Sequence, residues 1–409
     1  MKTVQTTLSS PINNIFSRFI KKKTIFRNKS ALQSGYTPKQ ILHREDQIQA
    51  IASILAPSLR GELPSNIFIY GKTGTGKTCV VKYIGNHLQQ QADIEKQNIQ
   101  VIYVNIELDR VADTEYRLFA YLSNILGKPV PSTGLPTSQV YDIFKQVVKS
   151  KETTIILILD EIDKLISKAG DSVIYHLTRI NTDIYPSKIC FIGITNDIKF
   201  INSLEPRVIS SLSKEEVVFP PYNALQLQAI LSARAKEAFF QDVIDDAVIR
   251  KCAARAATEH GDARRALDLL RVAAEIAERN NSTRVTLEHV EMAEEKIDYD
   301  TIVEVVKSLP THSKAVILSV IRSNQNELTT GEVYSAYVRI CNQAGIKSLS
   351  QRRISDIIGE LDNLGIINAS IKNSGRYGRT RIITLALSGK ALKKISSLLI
   401  EEFNTGFLY

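Results

Sequence analysis

At 409 residues the chain is long enough for two or three domains with cores of their own, so it needs no disulfide staples. Its four cysteines, Cys79, Cys190, Cys252 and Cys341, show no Cys-x-x-Cys pair or nearby histidine cluster, which argues for a reducing interior and against zinc. The net charge of +9 is uneven, with +8 on residues 1–40 and +6 on residues 310–409 around a middle of −5; basic ends suit a nucleic-acid partner, although solubilising charge gives the same tally.

Residues 1–34 contain Lys21, Lys22 and Lys23 without a following apolar core and read as a basic arm, either touching phosphates or simply solvated. No apolar run approaches the ~18 residues that cross a bilayer, so a soluble protein without a membrane partner is expected. Pro38 marks a turn, and Ile48, Ile51, Ala52 and Leu55 predict a helical apolar stripe. Short apolar runs at 67–70, 101–106, 155–160 and 189–196 read as buried strands. Helices are expected between them, at 77–90, around Leu118, Leu122, Ile125 and Leu126, and at 138–149, with GKPVPSTGLPT at 127–137 as a stiff exposed loop. Strands alternating with helices specify an α/β domain with a parallel sheet flanked by helices. Residues 224–305 read as consecutive helices. Beyond Pro310, helices at about 312–324, 329–343 and 350–364 precede extended stretches Ile366–Lys372 and Arg379–Leu385, the pattern of a winged helix.

The chemistry centres on NIFIYGKTGTGKT, residues 66–78. An apolar strand runs into G-x-x-x-x-G-K-T, a loop whose inward N–H groups cradle phosphates. Gly71, Gly74 and Gly76 permit that curl, with Lys72, Thr73 and Thr75 between them and Cys79 just beyond. Lys77 is placed to neutralise the β/γ-phosphates, Thr78 to bind Mg²⁺, and the helix N-terminus to face the same anion. The chain is therefore expected to bind a nucleoside triphosphate, ATP or its product ADP. IILILDEID then sets Asp160 and Glu161 at a buried strand's C-terminal end, where open α/β sheets place ligands. Asp160 suits Mg²⁺ binding and Glu161 suits activation of water. Asn196 ends the next strand, as a turn former or as a γ-phosphate contact.

In the helix at 350–364, Ile354, Ile357, Ile358, Leu361 and Leu364 share one face and are expected in the core. Ser348 with Gln351 has capping-box spacing, which predicts a start near Leu349. Arg352, with Arg353 beside it, Ser355, Asp356, Gly359 and Asn363 are expected on the outer side; Arg352 can read guanine, Ser355 a base edge or phosphate, and Gly359 can let the helix lie close in a groove. The hairpin adds Lys372, Arg376, Arg379 and Arg381 around Tyr377, a set suited to phosphate or minor-groove contact; charged hairpin edges also guard against aggregation.

The succession YTPKQILHRE, GKTGTGKT, ILDEID, GITND, LEPRVISSL and GDARRALDLL, ending in a winged helix, resembles the archaeal replication initiators of the origin-recognition-complex and cell-division-cycle AAA+ family. The resemblance implies an arm at 1–34, a nucleotide-binding domain at 35–222, an α-helical lid at 223–309 and a winged helix at 310–409. It implies that Asn196 is the sensor-1 residue and that Arg207 reaches a neighbouring subunit's γ-phosphate. Arg264 matches sensor 2, with Arg265 as a competing candidate, and Pro38 and Arg44 fall where the family lines its adenine pocket. The 127–137 loop falls where initiators carry a helical motif that contacts duplex DNA, through Lys128, Ser132, Thr133 and Gly134. The implied function is ATP-dependent initiation at duplex origin DNA, with Mg²⁺, paralogous initiator subunits and the replicative helicase as companions and a cytoplasmic, nucleoid-associated location. Hydrolysis is expected to be a weak switch. A nucleotide-responsive regulator or repressor at origins is the alternative.

Overall fold

The computed structural model describes residues 24–33, 35–109, 114–197, 204–211, 214–259, 261–323, 325, 327–373, 379–387 and 389–404. The chain divides into two compact units, Met1–Val290 and Glu291–Tyr409.

The first unit carries α1 (Glu45–Leu55), β1 (Asn66–Tyr70), α2 (Lys77–Ile94), β2 (Ile99–Asn105), α3 (Glu115–Ile125), α4 (Thr137–Lys151), β3 (Thr154–Asp160), α5 (Ile162–Ala169), α6 (Ser172–Arg179), β4 (Lys188–Thr195), α7 (Pro206–Ser211) and β5 (Lys214–Val218). The strands form one parallel sheet in the order β2-β3-β4-β1-β5. Side chains on a strand alternate between faces, and both faces are buried. Ile67, Ile69, Ile156 and Ile158 join Val80, Ile84 and Leu55 on one side. Phe68, Tyr70, Leu157 and Leu159 join Phe119, Phe144 and Leu177 on the other. β5 has no counterpart among the four expected strands. Its KEEVV sequence exposes Glu215, Glu216 and Val218, the composition of a guarded edge rather than of a buried run. Ala52 is exposed, so the stripe of α1 rests on Ile51 and Leu55 alone among its fully buried residues.

Three further helices follow, α8 (Ala224–Ala238), α9 (Asp246–Thr258) and α10 (Ala263–Arg279). Asn223 and Gln226 form a reciprocal capping box that starts α8. The arm expected over 1–34 is not solvated throughout. Residues 24–33 pack on these helices: Ala31 and Leu32 are buried, Phe26 stacks on Phe239 at 5.1 Å, and Lys29 pairs with Glu275 at 2.9 Å. Its apolar positions explain this, because Ile25, Phe26, Ala31 and Leu32 give a short turn something to bury.

α11 (Leu287–Ser308) runs into the second unit, where its Val303 and Val306 are buried. The second unit continues with α12 (Thr311–Ser323), β6 (Leu328–Thr329), α13 (Thr330–Gln343), α14 (Gln351–Asn363), β7 (Ile367–Asn373), β8 (Arg379–Leu385) and α15 (Gly389–Asn404). Its antiparallel sheet, in the order β6-β8-β7, and the added helix α15 extend the expected three helices and hairpin. Tyr337 is fully buried with its hydroxyl satisfied by the Leu349 N–H at 3.0 Å and by His312 at 2.8 Å. The cap of α14 is Ser350, whose Oγ accepts from the Arg353 N–H, and not Ser348; position N3 is then arginine, so no capping box closes. Leu364 lies just past the helix and is 49% exposed, outside the core where the spacing had put it.

Candidate functional site

Register places the chemistry. Asn105 stands opposite Asp160, Asp160 opposite Ile194, and Tyr70 opposite Thr195, so the C-terminal ends of four strands lie level. Gly71, Glu161 and Asn196 follow directly, at one edge of the sheet. A cavity of about 420 Å³ opens there, lined by Thr73–Cys79, Asp160, Glu161 and Asn196 and, from the helices beyond, by Arg234 and Arg264.

Lys77 Nζ donates to the carbonyls of Gly71 at 2.6 Å and Lys72 at 2.9 Å, and to Asn196 Oδ1 at 2.8 Å. Burial lowers its pKa to about 8. Thr75 Oγ1 donates to the Lys72 carbonyl at 2.8 Å and closes the loop. Gly71 and Lys72 form its floor and do not line the cavity. Gly76 has φ +91°, and a Cβ there would meet the Tyr222 hydroxyl at 2.7 Å.

Asp160 is buried, and its Oδ2 accepts from Thr78 Oγ1 at 2.6 Å and from the Tyr103 hydroxyl at 2.7 Å. Two adjacent hard oxygens, from Thr78 and Asp160, fit a small hard cation that keeps part of its water shell. Glu161 sits at φ +61°, a left-handed residue at the start of α5 that faces the cavity. Its pKa is raised by burial, then by a hydrogen bond with Glu107 and by the charges of neighbouring acids. Tyr103, Asn105 and Glu107 were not singled out by the motifs, although the polar letters in VIYVNIE, two apart at a strand end, share one face.

Arg44 corrects an expectation. It is 2% exposed and lies beneath the loop, donating to the carbonyls of Thr75 at 3.0 Å, His43 at 3.0 Å and Pro220 at 2.6 Å, with its guanidinium 3.7 Å from the Tyr222 ring centroid. It bolts the loop to the β5 segment and does not line the cavity; Pro38 does. Arg264 faces the cavity, whereas Arg265 turns to Glu259 at 2.8 Å. Asp262 caps α10 and rests on the loop: a Cβ at Gly74 would stand 1.7 Å from Asp262 Oδ1, and the Ala263 N–H donates to the Gly74 carbonyl at 3.1 Å. Arg207 lies in α7, but its side chain falls outside the described residues.

The expected DNA-facing groups occupy two regions. In the 127–137 loop, Val130 is buried and hydrogen-bonded to Asn124, and the Pro131 carbonyl accepts from Tyr116, so the loop is anchored while Lys128, Ser132, Thr133 and Gly134 stay exposed. On α14, Arg352 and Arg353 are exposed and Ser355 is half-buried. Arg353 lies 3.8 Å from Asp356 and 3.5 Å from Glu360, surface pairs too weak to hold it against a phosphate. Arg381, expected on the outer wing, instead folds back on α14. Its Nη1 donates to the Ser355 carbonyl at 3.2 Å and its Nη2 covers Gly359, so the open helix face expected at Gly359 is filled by Arg381. Lys372 and Arg379 lie on β7 and β8, opposite Thr380 and Asn373, with side chains outside the described residues; Arg376 and Tyr377 lie outside them altogether. Among the described residues no helix is long and apolar enough to cross a membrane.

Comparison with known proteins gives three family matches: residues 61–197 to the AAA domain, 228–295 to the Cdc6 AAA+ ATPase-type lid domain and 304–395 to the CDC6 C-terminal winged helix domain. The chain is 51% identical over 391 residues to an ORC1-type DNA replication protein of Thermococcus onnurineus, covering 94% of each. Among solved structures it is similar to the Aeropyrum pernix ORC1 protein in complex with DNA, at 42% identity and TM-score 0.77, over 93% of this chain and 98% of that one. It shares the fold of Aeropyrum pernix ORC2, solved as ADPNP-ADP complexes, at 19% identity and TM-score 0.59, over 93% of this chain and all of that one.

Proposed function

This chain belongs to the ORC1-type DNA replication proteins, with a Cdc6-type lid and winged helix, and from that premise we propose that it is an ATP-dependent initiator that binds duplex origin DNA and helps recruit or load the replicative helicase. The observation that carries the nucleotide half is the convergence of Lys77, Asp160, Thr78 and Asn196 on one cavity closed by Arg264. Thr78 and Asp160 would hold Mg²⁺, which would supply positive charge to offset that of the phosphates. Glu161 orients and deprotonates the attacking water, Asn196 fixes the γ-phosphate beside Lys77, and Arg264 brings the lid onto the nucleotide. Arg207 of one copy completes the site of a neighbour, as an arginine placed on the transferred phosphoryl group does in other NTPases.

The relative solved with DNA supports the other half. Arg352 and Ser355 present to base edges; Arg353, Lys372, Arg376 and Arg379, with Tyr377, take the backbone or minor groove, and the anchored Lys128–Gly134 loop takes a second stretch of duplex. ATP then acts as a slow switch on the lid rather than as fuel for continuous stepping. Hydrolysis measured with and without DNA tests this: slow turnover little changed by DNA is expected, and rapid DNA-stimulated turnover would make the protein a motor. Capture of the replicative helicase on the DNA-bound protein separates an initiator from a regulator or repressor at origins.

A further inference from the structure

Arg234 on α8 is the buried charge that this mechanism leaves without a task. It is 7% exposed and lines the nucleotide cavity. Its guanidinium lies 4.8 Å from the Tyr36 ring centroid and Nη2 donates to the Tyr36 carbonyl at 3.3 Å, yet Nη1 is cut off from solvent with no hydrogen-bond partner. Glu237, one turn further along α8, accepts from the Tyr36 hydroxyl at 2.6 Å instead. A guanidinium has donors only, and a buried one is stabilised best by an anionic acceptor.

The position along the cavity selects the acceptor. Arg264 directly follows Asp262 and Ala263, which rest on Gly74 of the phosphate loop. Arg234 instead stands against Tyr36, two residues before Pro38, with Cys79 of α2 also on the cavity wall. Pro38, Ile41 and Ile230 complete that end of the cavity with apolar surface suited to a base. We propose that Arg234 Nη1 donates to the α-phosphate of the bound nucleotide, a second lid cation that holds the nucleoside end while Arg264 holds the terminal phosphates. The assignment rests on the cavity being a nucleotide site. Because ADP and ATP share the α-phosphate, Arg234 sets how tightly either is held and leaves their discrimination to Arg264.

The test is titration of the full chain, without metal, with ADP, ATP and the two α-thio diastereomers of ADP, in the wild type, Arg234→Met and Arg234→Lys. Arg234→Met should weaken ADP and ATP by the same factor, about 10- to 100-fold. Sulfur at the contacted oxygen weakens that bond, so the wild type should prefer one diastereomer and the variant should lose much of that preference. Arg234→Lys, which keeps the charge, should lose less affinity, and its diastereomer ratio serves if the methionine variant does not fold. ADP affinity within twofold of wild type, or weakened affinity with the diastereomer ratio unchanged, would overturn the assignment. A wild type that binds no ADP while retaining its fold would overturn the nucleotide reading itself and the assignment with it.

Discussion

Gly74 is the residue at which the phosphate loop and the lid constrain each other most tightly. Its φ is +74°, and any Cβ would enter the Asp262 carboxylate that caps α10. Gly74→Ala therefore combines left-handed strain of about 1–2 kcal/mol with a displaced lid. Nucleotide affinity should fall and the melting temperature should drop together. Gly127→Ala is the control, because its φ of +92° carries similar strain but no atom lies within 4 Å; it should lower stability and leave nucleotide affinity intact. At this scale the phosphate motif was legible because strand, glycines and lysine must follow one another in sequence. Arg44, Tyr103 and Asp262 were not legible, since each acts on a partner far away in the chain: Thr75, Asp160 and Gly74.

The segment 24–33 shows how an element escapes notice when its charge is more visible than its apolar residues. Loss of residues 24–33 uncovers Phe239 and removes the buried Leu32. Leu32→Ala alone should cost ~2–5 kcal/mol, read by denaturant unfolding. Burial raises the pKa of Glu275, but hydrogen bonds and charge from Lys29 and Arg271 outweigh it and hold the net value below that of a free carboxylate. A depressed carboxylate stabilises the fold above its unfolded pKa and stops doing so as pH falls through its folded value. Protection factors against hydrogen exchange in residues 24–33, taken relative to the intrinsic rate at each pH, should thus fall as the solution becomes acidic, and Glu275→Gln should flatten that dependence; an unchanged profile would remove Glu275 as the cause. The parallel strands were readable as apolar runs, but β5 was not, because an edge strand exposes charge. The helix α14 was legible by its stripe, while Ser350 replaced Ser348 as its cap because α14 starts at Gln351, two residues later than Leu349.

For the whole molecule, the order of motifs along the chain carried more than any one of them, since only their succession names the family. What sequence order cannot supply is which arginine meets a neighbouring copy. If Arg207 acts in trans, specific hydrolysis should rise with protein concentration, and Arg207→Ala should lower it by orders of magnitude while ATP still binds. A rate independent of concentration and of that substitution would remove the role. On DNA, Arg352→Ala should lose ~1–3 kcal/mol mainly at the preferred site, and Arg379→Ala should weaken all sequences alike with a shallower salt dependence. Equal losses on every DNA would make Arg352 another phosphate anchor. The central claim, site-specific initiation, is tested most directly by capturing fragments of the source genome on the purified protein with ATP at moderate salt and sequencing what is bound. A few discrete loci should be enriched and lost in the Arg352→Ala/Arg379→Ala double variant; uniform recovery of the genome would mean that the protein holds DNA without reading it, and would contradict the claim.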